Sequence, residues 1–102
     1  MDKLELVKIL LQLIPPGKVT SYSELSKITG WSQRSVGKIL SKNDEPILVP
    51  CHRVVMKNGN LGGYSAFSGK EFKRRLLELE GVEFCSNGKI KRSNFYKLSE
   101  IL

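Results

Sequence analysis

One histidine and two cysteines, Cys51 and Cys85, leave this 102-residue sequence poor in metal-ligating side chains, and it holds no Cys-x-x-Cys pair. The usual structural zinc patterns are excluded, so neither a metal nor another cofactor is expected. The two cysteines stand far apart and read as free thiols in a reducing compartment, with Cys85 structural or incidental. No apolar run approaches the roughly 20 residues that span a bilayer, and Met1-Asp2-Lys3 opens into an amphipathic stretch rather than a signal peptide. A membrane protein is therefore not expected; the expected setting is cytoplasmic, or nuclear in a eukaryote. Acidic residues are also scarce, ten against 17 basic, and the resulting charge of +7 favours a polyanion such as nucleic acid as partner. A merely soluble basic surface is the alternative.

What is present suits one domain over residues 1–102, expected as a monomer. Hydrophobic residues at 40% and charged residues at 26% allow a core, and dividing so short a chain would leave two pieces too small for one. Leu4, Val7, Leu10, Leu11 and Ile14 recur at helical spacing before Pro15-Pro16-Gly17 stops the helix. Ser21-Tyr22-Ser23-Glu24 fits a capping box opening a short helix with Leu25 and Ile28 on its apolar side and Gly30 at its end. Ser32 then caps a helix from Gln33 to about Ser41, with Val36, Ile39 and Leu40 inward.

Helix, short turn and basic helix predict a helix-turn-helix. Arg34, Lys38 and Lys42 repeat every fourth residue away from the apolar stripe, where they could meet DNA; an ordinary solvated face is the alternative. Gly37 inside that helix costs about 1 kcal/mol relative to alanine, which suggests close approach of another backbone, the protein's own or that of DNA.

Pro46-Ile47-Leu48-Val49-Pro50 is extended by composition, and Val54-Val55 resume apolar character, so Cys51-His52-Arg53 are expected inside a strand-like segment. Asn58-Gly59-Asn60 and Gly62-Gly63 mark a turn-rich loop able to carry a site. A further helix is predicted from about Lys70 to Glu80, with Phe72, Leu76 and Leu79 on one face and Gly81 as its stop. Val82 and Phe84 lead to Asn87-Gly88, a hairpin signal, with Ile90 on the far strand. Ser93 is expected to cap a last helix holding Phe95, Leu98 and Ile101. The fold class is thus mainly α, a winged helix-turn-helix-like DNA-binding domain with a small β-hairpin.

Pro50-Cys51-His52-Arg53-Val54 resembles the active-site motif of the O6-alkylguanine-DNA alkyltransferases, the methylated-DNA-protein-cysteine methyltransferases. The resemblance runs from about Ile14 to Glu83, about two-thirds of the chain. It passes through Pro16-Gly17-Lys18-Val19-Thr20-Ser21-Tyr22, Arg34-Ser35-Val36-Gly37, Asn43, Pro46 to Val55, Gly62-Gly63-Tyr64-Ser65 and Leu76-Leu77-Glu78-Leu79-Glu80-Gly81. It implies a catalytic C-terminal domain without the N-terminal domain that many members carry.

The resemblance also implies roles. Cys51 would accept the alkyl group irreversibly, His52 would contact the thiol through a water, and Glu80 would orient His52. That arrangement follows the logic of nucleophile, base and orienting group, needed because a free thiol ionises only near pH 8.5. Tyr22 would rotate a phosphate and hydrogen-bond guanine, Arg34 would replace the everted nucleotide, and Asn43 would link recognition helix to active site. Main-chain groups of Cys51, Val54 and Ser65, with Tyr64, would line the base pocket. The implied partner is double-stranded DNA containing O6-alkylguanine, engaged through its minor groove and read by base flipping.

Two departures stand out. Ala66-Phe67 replaces the family's Gly-Gly after Tyr-Ser, and two extra residues precede Lys73, which alters the pocket rim. Two other functions compete: an alkyltransferase-like lesion-binding protein, whose members typically hold tryptophan at the place of Cys51, and a dimeric helix-turn-helix transcription regulator.

Overall fold

The computed structural model describes residues 2–45, 47–62 and 69–101. Helix α1 spans Lys3–Gln12, capped by the Asp2 carboxylate, which accepts from the Leu4 N–H. It ends two residues before Ile14, which precedes Pro15 and so disfavours helical backbone; the Ile14 N–H closes a last tight turn onto Leu11. Val7, Leu10, Leu11 and Ile14 are buried, as their spacing predicts.

Strand β1, Thr20–Ser21, runs directly into helix α2, Tyr22–Thr29. Ser21 Oγ caps α2 by accepting from the Glu24 N–H at 3.0 Å. Only half of the expected capping box forms, because the Glu24 carboxylate turns away to accept from the Ser99 N–H and hydroxyl at 2.9 and 2.7 Å. Gly30 ends α2 in the left-handed conformation, φ 79°. Three residues later α3, Gln33–Leu40, begins under the Ser32 cap. The helix-turn-helix predicted from sequence is thus formed by α2 and α3.

Strand β2, Val54–Val55, pairs in parallel with β1, Thr20 opposite Val54 and Ser21 opposite Val55. These two-residue strands divide the core. Side chains alternate between faces of a strand, so Val54 packs with α1, α2 and α3 while Val55 packs with Val19, Leu77, Val82 and Ile90.

Helix α4, Lys70–Leu79, buries Lys73 and Leu77. Its inward face differs from the expected Phe72, Leu76 and Leu79: Leu79 is 85% exposed. Two adjacent leucines allow either helical phase, and a hydrogen bond from Lys73 to the β2 backbone selects the other one. The expected hairpin is reduced to a Phe84–Ile90 bridge closed over Asn87-Gly88, with Gly88 at φ 83°.

The last segment is broken, not one helix from Ser93. Arg92–Asn94 makes a single 3₁₀ turn and α5 covers only Leu98–Ile101. Between them Phe95 is extended, bridged to Val19, and the Tyr96 N–H donates to the Val19 carbonyl at 2.7 Å. Backbone pairing with the segment before β1 overrides the helical spacing.

Candidate functional site

The parallel pairing of β1 with β2 brings the start of α2 beside the Cys51 segment. Cys51, His52 and Arg53 occupy a 3₁₀ turn rather than the strand-like stretch expected. The chain before them turns sharply: Ile47, a β-branched residue, sits at φ 80°, a strained position of the kind found at functional sites. Asn43 braces this loop, its Nδ2 donating to the Val49 carbonyl at 3.1 Å and its Oδ1 accepting from the Glu45 N–H at 3.0 Å. The same Val49 carbonyl accepts from the Cys51 N–H at 2.7 Å.

The turn separates three neighbours by burial. Cys51 is half-buried and a free thiol, whereas His52 is fully buried. His52 Nε2 lies 3.1 Å from Glu80 Oε2, at the end of α4. An ionised carboxylate only accepts, so Nε2 carries the proton in the neutral ring and Nδ1 keeps the lone pair. Nδ1 is buried with no partner among the described residues. Burial pushes the His52 pKa below its usual 6.5, against the opposing pull of Glu80, which favours the neutral ring.

Arg53 completes the cluster. Its Nε and Nη2 donate to Glu80 Oε1 and Oε2 at 2.9 and 2.6 Å, a two-point grip, and Nη1 donates to the Ile14 carbonyl at 2.8 Å. Burial pushes the Glu80 carboxyl upward, but Arg53 and His52 together hold it below the usual range. Glu80 is therefore a fixed anion that orients His52 while Arg53 ties the site to the end of α1.

Two more groups converge here. Tyr22, at the first position of α2, has its pKa raised by burial and by the Cys51 charge. Lys73 is fully buried and donates to the Val54 carbonyl at 2.7 Å. Burial lowers its pKa to about 8, and the Cys51 charge acts in the opposite sense. Arg53 stands inside the Cys51 motif with no role assigned to it, and Lys73 does not stand out in the sequence as a site residue, although Lys73, Leu77 and Glu80, at steps of four and three, share a helix face.

Of the residues expected at the site, Cys51, His52 and Glu80 come together with Val54 and Tyr22 alongside. Arg34 and Lys38 are exposed on α3; Lys42 is exposed too, but lies just beyond that helix. A side chain built at Gly37 would meet nothing within 4 Å, so among the described residues no backbone of the protein explains this glycine. Tyr64, Ser65 and the Ala66-Phe67 rim lie outside the described residues.

Residues 4–82 match the family model of the 6-O-methylguanine DNA methyltransferase DNA-binding domain. The chain belongs to this family. It is 48% identical over 69 residues to the methylated-DNA–protein-cysteine methyltransferase of Methanothermobacter thermautotrophicus, a match covering 68% of this chain and 38% of that protein. The chain spans about two-fifths of the length of the curated methyltransferases it matches. Among solved structures, the O6-methylguanine-DNA methyltransferase of Pyrococcus kodakaraensis superposes with a TM-score of 0.73 at 41% identity, over 80% of this chain and 47% of that one. Atl1 of S. pombe, solved with damaged DNA containing O6-carboxymethylguanine, gives 0.75 at 30% identity over 95% of this chain and 97% of that one.

Proposed function

We propose that this chain repairs O6-alkylguanine in duplex DNA by moving the alkyl group irreversibly onto Cys51. The observation that carries the reading is a half-buried thiol next in sequence to a fully buried histidine, whose ring is fixed by a carboxylate so that Nδ1 is the basic nitrogen. His52 takes the thiol proton, through a water in the arrangement the family implies. The thiolate attacks the alkyl carbon, the carbon–sulfur bond forms, and the carbon–O6 bond breaks with its electron pair passing to guanine, which then regains a proton. No second nucleophile is needed. A thioether has no good leaving group, so each chain acts once, as a monomer, in a compartment that holds DNA.

Recognition is assigned to α2 and α3. Arg34 enters the duplex when the damaged nucleotide flips out, Tyr22 meets the rotated phosphate, Lys38 and Lys42 neutralise backbone charge, and Val54, Tyr64 and Ser65 line the base pocket. Asn43 links α3 to the Cys51 turn. Arg34→Ala is expected to slow repair of duplex DNA by about 10-fold or more, a part of the few kcal/mol that flipping costs. Transfer from free O6-benzylguanine should change little. Equal losses on both substrates contradict the role.

Gly37→Ala separates fold from binding. With open space around it, the added methyl group should raise stability by about 1 kcal/mol in chemical denaturation while weakening DNA binding. An unchanged DNA affinity contradicts backbone approach at Gly37.

A second reading is lesion binding without transfer, of which the match to Atl1, solved with damaged DNA, supports the binding alone. Cys51 argues against it, since the alkyltransferase-like proteins of the resemblance typically hold tryptophan there.

A further inference from the structure

A groove of about 490 Å³ lies outside the Cys51 site, between the start of α2 and the segment that follows the last 3₁₀ turn. Four cationic residues line it, Lys27, Lys57, Arg92 and Lys97, against one carboxylate, Glu24. That carboxylate accepts from Ser99 but keeps its charge, which acts on Lys27 and Lys97, and Lys97 also lies 3.9 Å from Glu100; Lys57 and Arg92 have no ion pair among the described residues and carry the groove's uncompensated charge. Arg92 is held in place: Nη1 donates to the Lys57 carbonyl at 3.2 Å and the guanidinium lies 5.6 Å from the centre of the Phe95 ring. Its remaining donors have no partner among the described residues. Thr20, also lining the groove, keeps a buried hydroxyl without a hydrogen-bond partner among those residues.

Lys57 and Arg92 also line a second depression, of about 330 Å³, together with Tyr22 and Gln33. The groove is therefore continuous, through this pair, with the start of both helices of the helix-turn-helix. Arg92, Phe95 and Lys97 lie beyond residues 4–82 that match the family model.

We propose that the groove and depression form a second phosphate-binding track, with Lys57 and Arg92 at its centre, that takes up DNA backbone beside the helix-turn-helix. The inference rests on the DNA-repair reading. A guanidinium fixed by a ring and a carbonyl suits phosphate oxygens, with Lys57 as a second cation lining the same groove, and continuity with Tyr22 and Gln33 selects the DNA backbone over a free phosphate as their source.

The test is the salt dependence of binding to an undamaged duplex, by fluorescence anisotropy. Each phosphate contact contributes about 0.9 to the slope of log affinity against log salt. The Lys57→Ala/Arg92→Ala double variant, checked for native circular dichroism, should lose about 1.8 from the wild-type slope. The charge-preserving Lys57→Arg/Arg92→Lys variant should keep most of it. An unchanged slope in the alanine variant, while wild type binds DNA and becomes alkylated, overturns the track and leaves the repair reading intact. So does a charge-preserving variant that loses as much as the alanine one. Resonances of Phe95 and Arg92 should shift on adding duplex; a shift with inorganic pyrophosphate but none with duplex assigns the groove to a free phosphate and overturns the proposal. Wild type that binds no DNA removes the repair reading itself.

Discussion

Glu80→Ala is expected to destabilise the protein by about 3 kcal/mol, because it strips the carboxylate from a fully buried histidine and from a largely buried arginine together. For a chain of this size that corresponds to a fall in melting temperature of more than about 10 °C. Transfer should slow as well, since His52 loses the group that fixes its tautomer. The same cluster contributes to the loss of stability in acid. His52 has a folded pKa depressed below 6.5, so the unfolded chain binds the extra proton first and stability falls as pH drops below 6.5. Glu80, whose folded pKa is also depressed, contributes stability present above 4.5 and lost as pH falls through its folded value. His52→Gln should therefore flatten the loss between pH 6.5 and 4.5 and leave the steeper loss below it. Melting curves over this range, in both variants, read the effect. A Glu80→Ala protein that melts within a degree or two of wild type contradicts the assignment of Glu80 as the anion holding the site.

Cys51→Ser is expected to abolish alkyl transfer while leaving lesion binding and stability close to wild type. Serine is nearly isosteric, and the residue is only half-buried, so packing changes little. Its hydroxyl ionises far above the thiol, and a base such as His52 cannot supply the difference for attack on an alkyl carbon. The variant should bind a duplex containing O6-methylguanine more tightly than an undamaged one and hold it without reacting. Loss of lesion preference along with transfer would mean that Cys51 shapes the pocket rather than reacting in it.

The parts of the fold legible in the sequence are those governed by local spacing. Val7, Leu10, Leu11 and Ile14, the Ser21 and Ser32 caps and the Gly30 stop each act within one or two turns of helix, and all stand as read. Long-range pairing was not legible. Two-residue strands are too short for a period, so the parallel β1–β2 pair left no signal, and neither did the tie between Tyr96 and Val19 that breaks the final helix. Cys51 and His52 were legible as a motif, yet their geometry depends on a 3₁₀ turn that composition alone reads as extended. Lys73 was hidden for a different reason. A lysine on an amphipathic helix ordinarily marks the solvent side, and here it marks the core because the Val54 carbonyl receives it.

Alkyl transfer to Cys51 is read directly by the intact mass of the protein after incubation with excess duplex DNA containing O6-methylguanine. The expected result is a gain of one methyl group per chain, located on Cys51 by peptide fragmentation, with no further gain on longer incubation. An unmodified mass despite preferential binding to the lesion contradicts transfer and leaves a lesion-binding protein; repeated turnover without an adduct contradicts the mechanism.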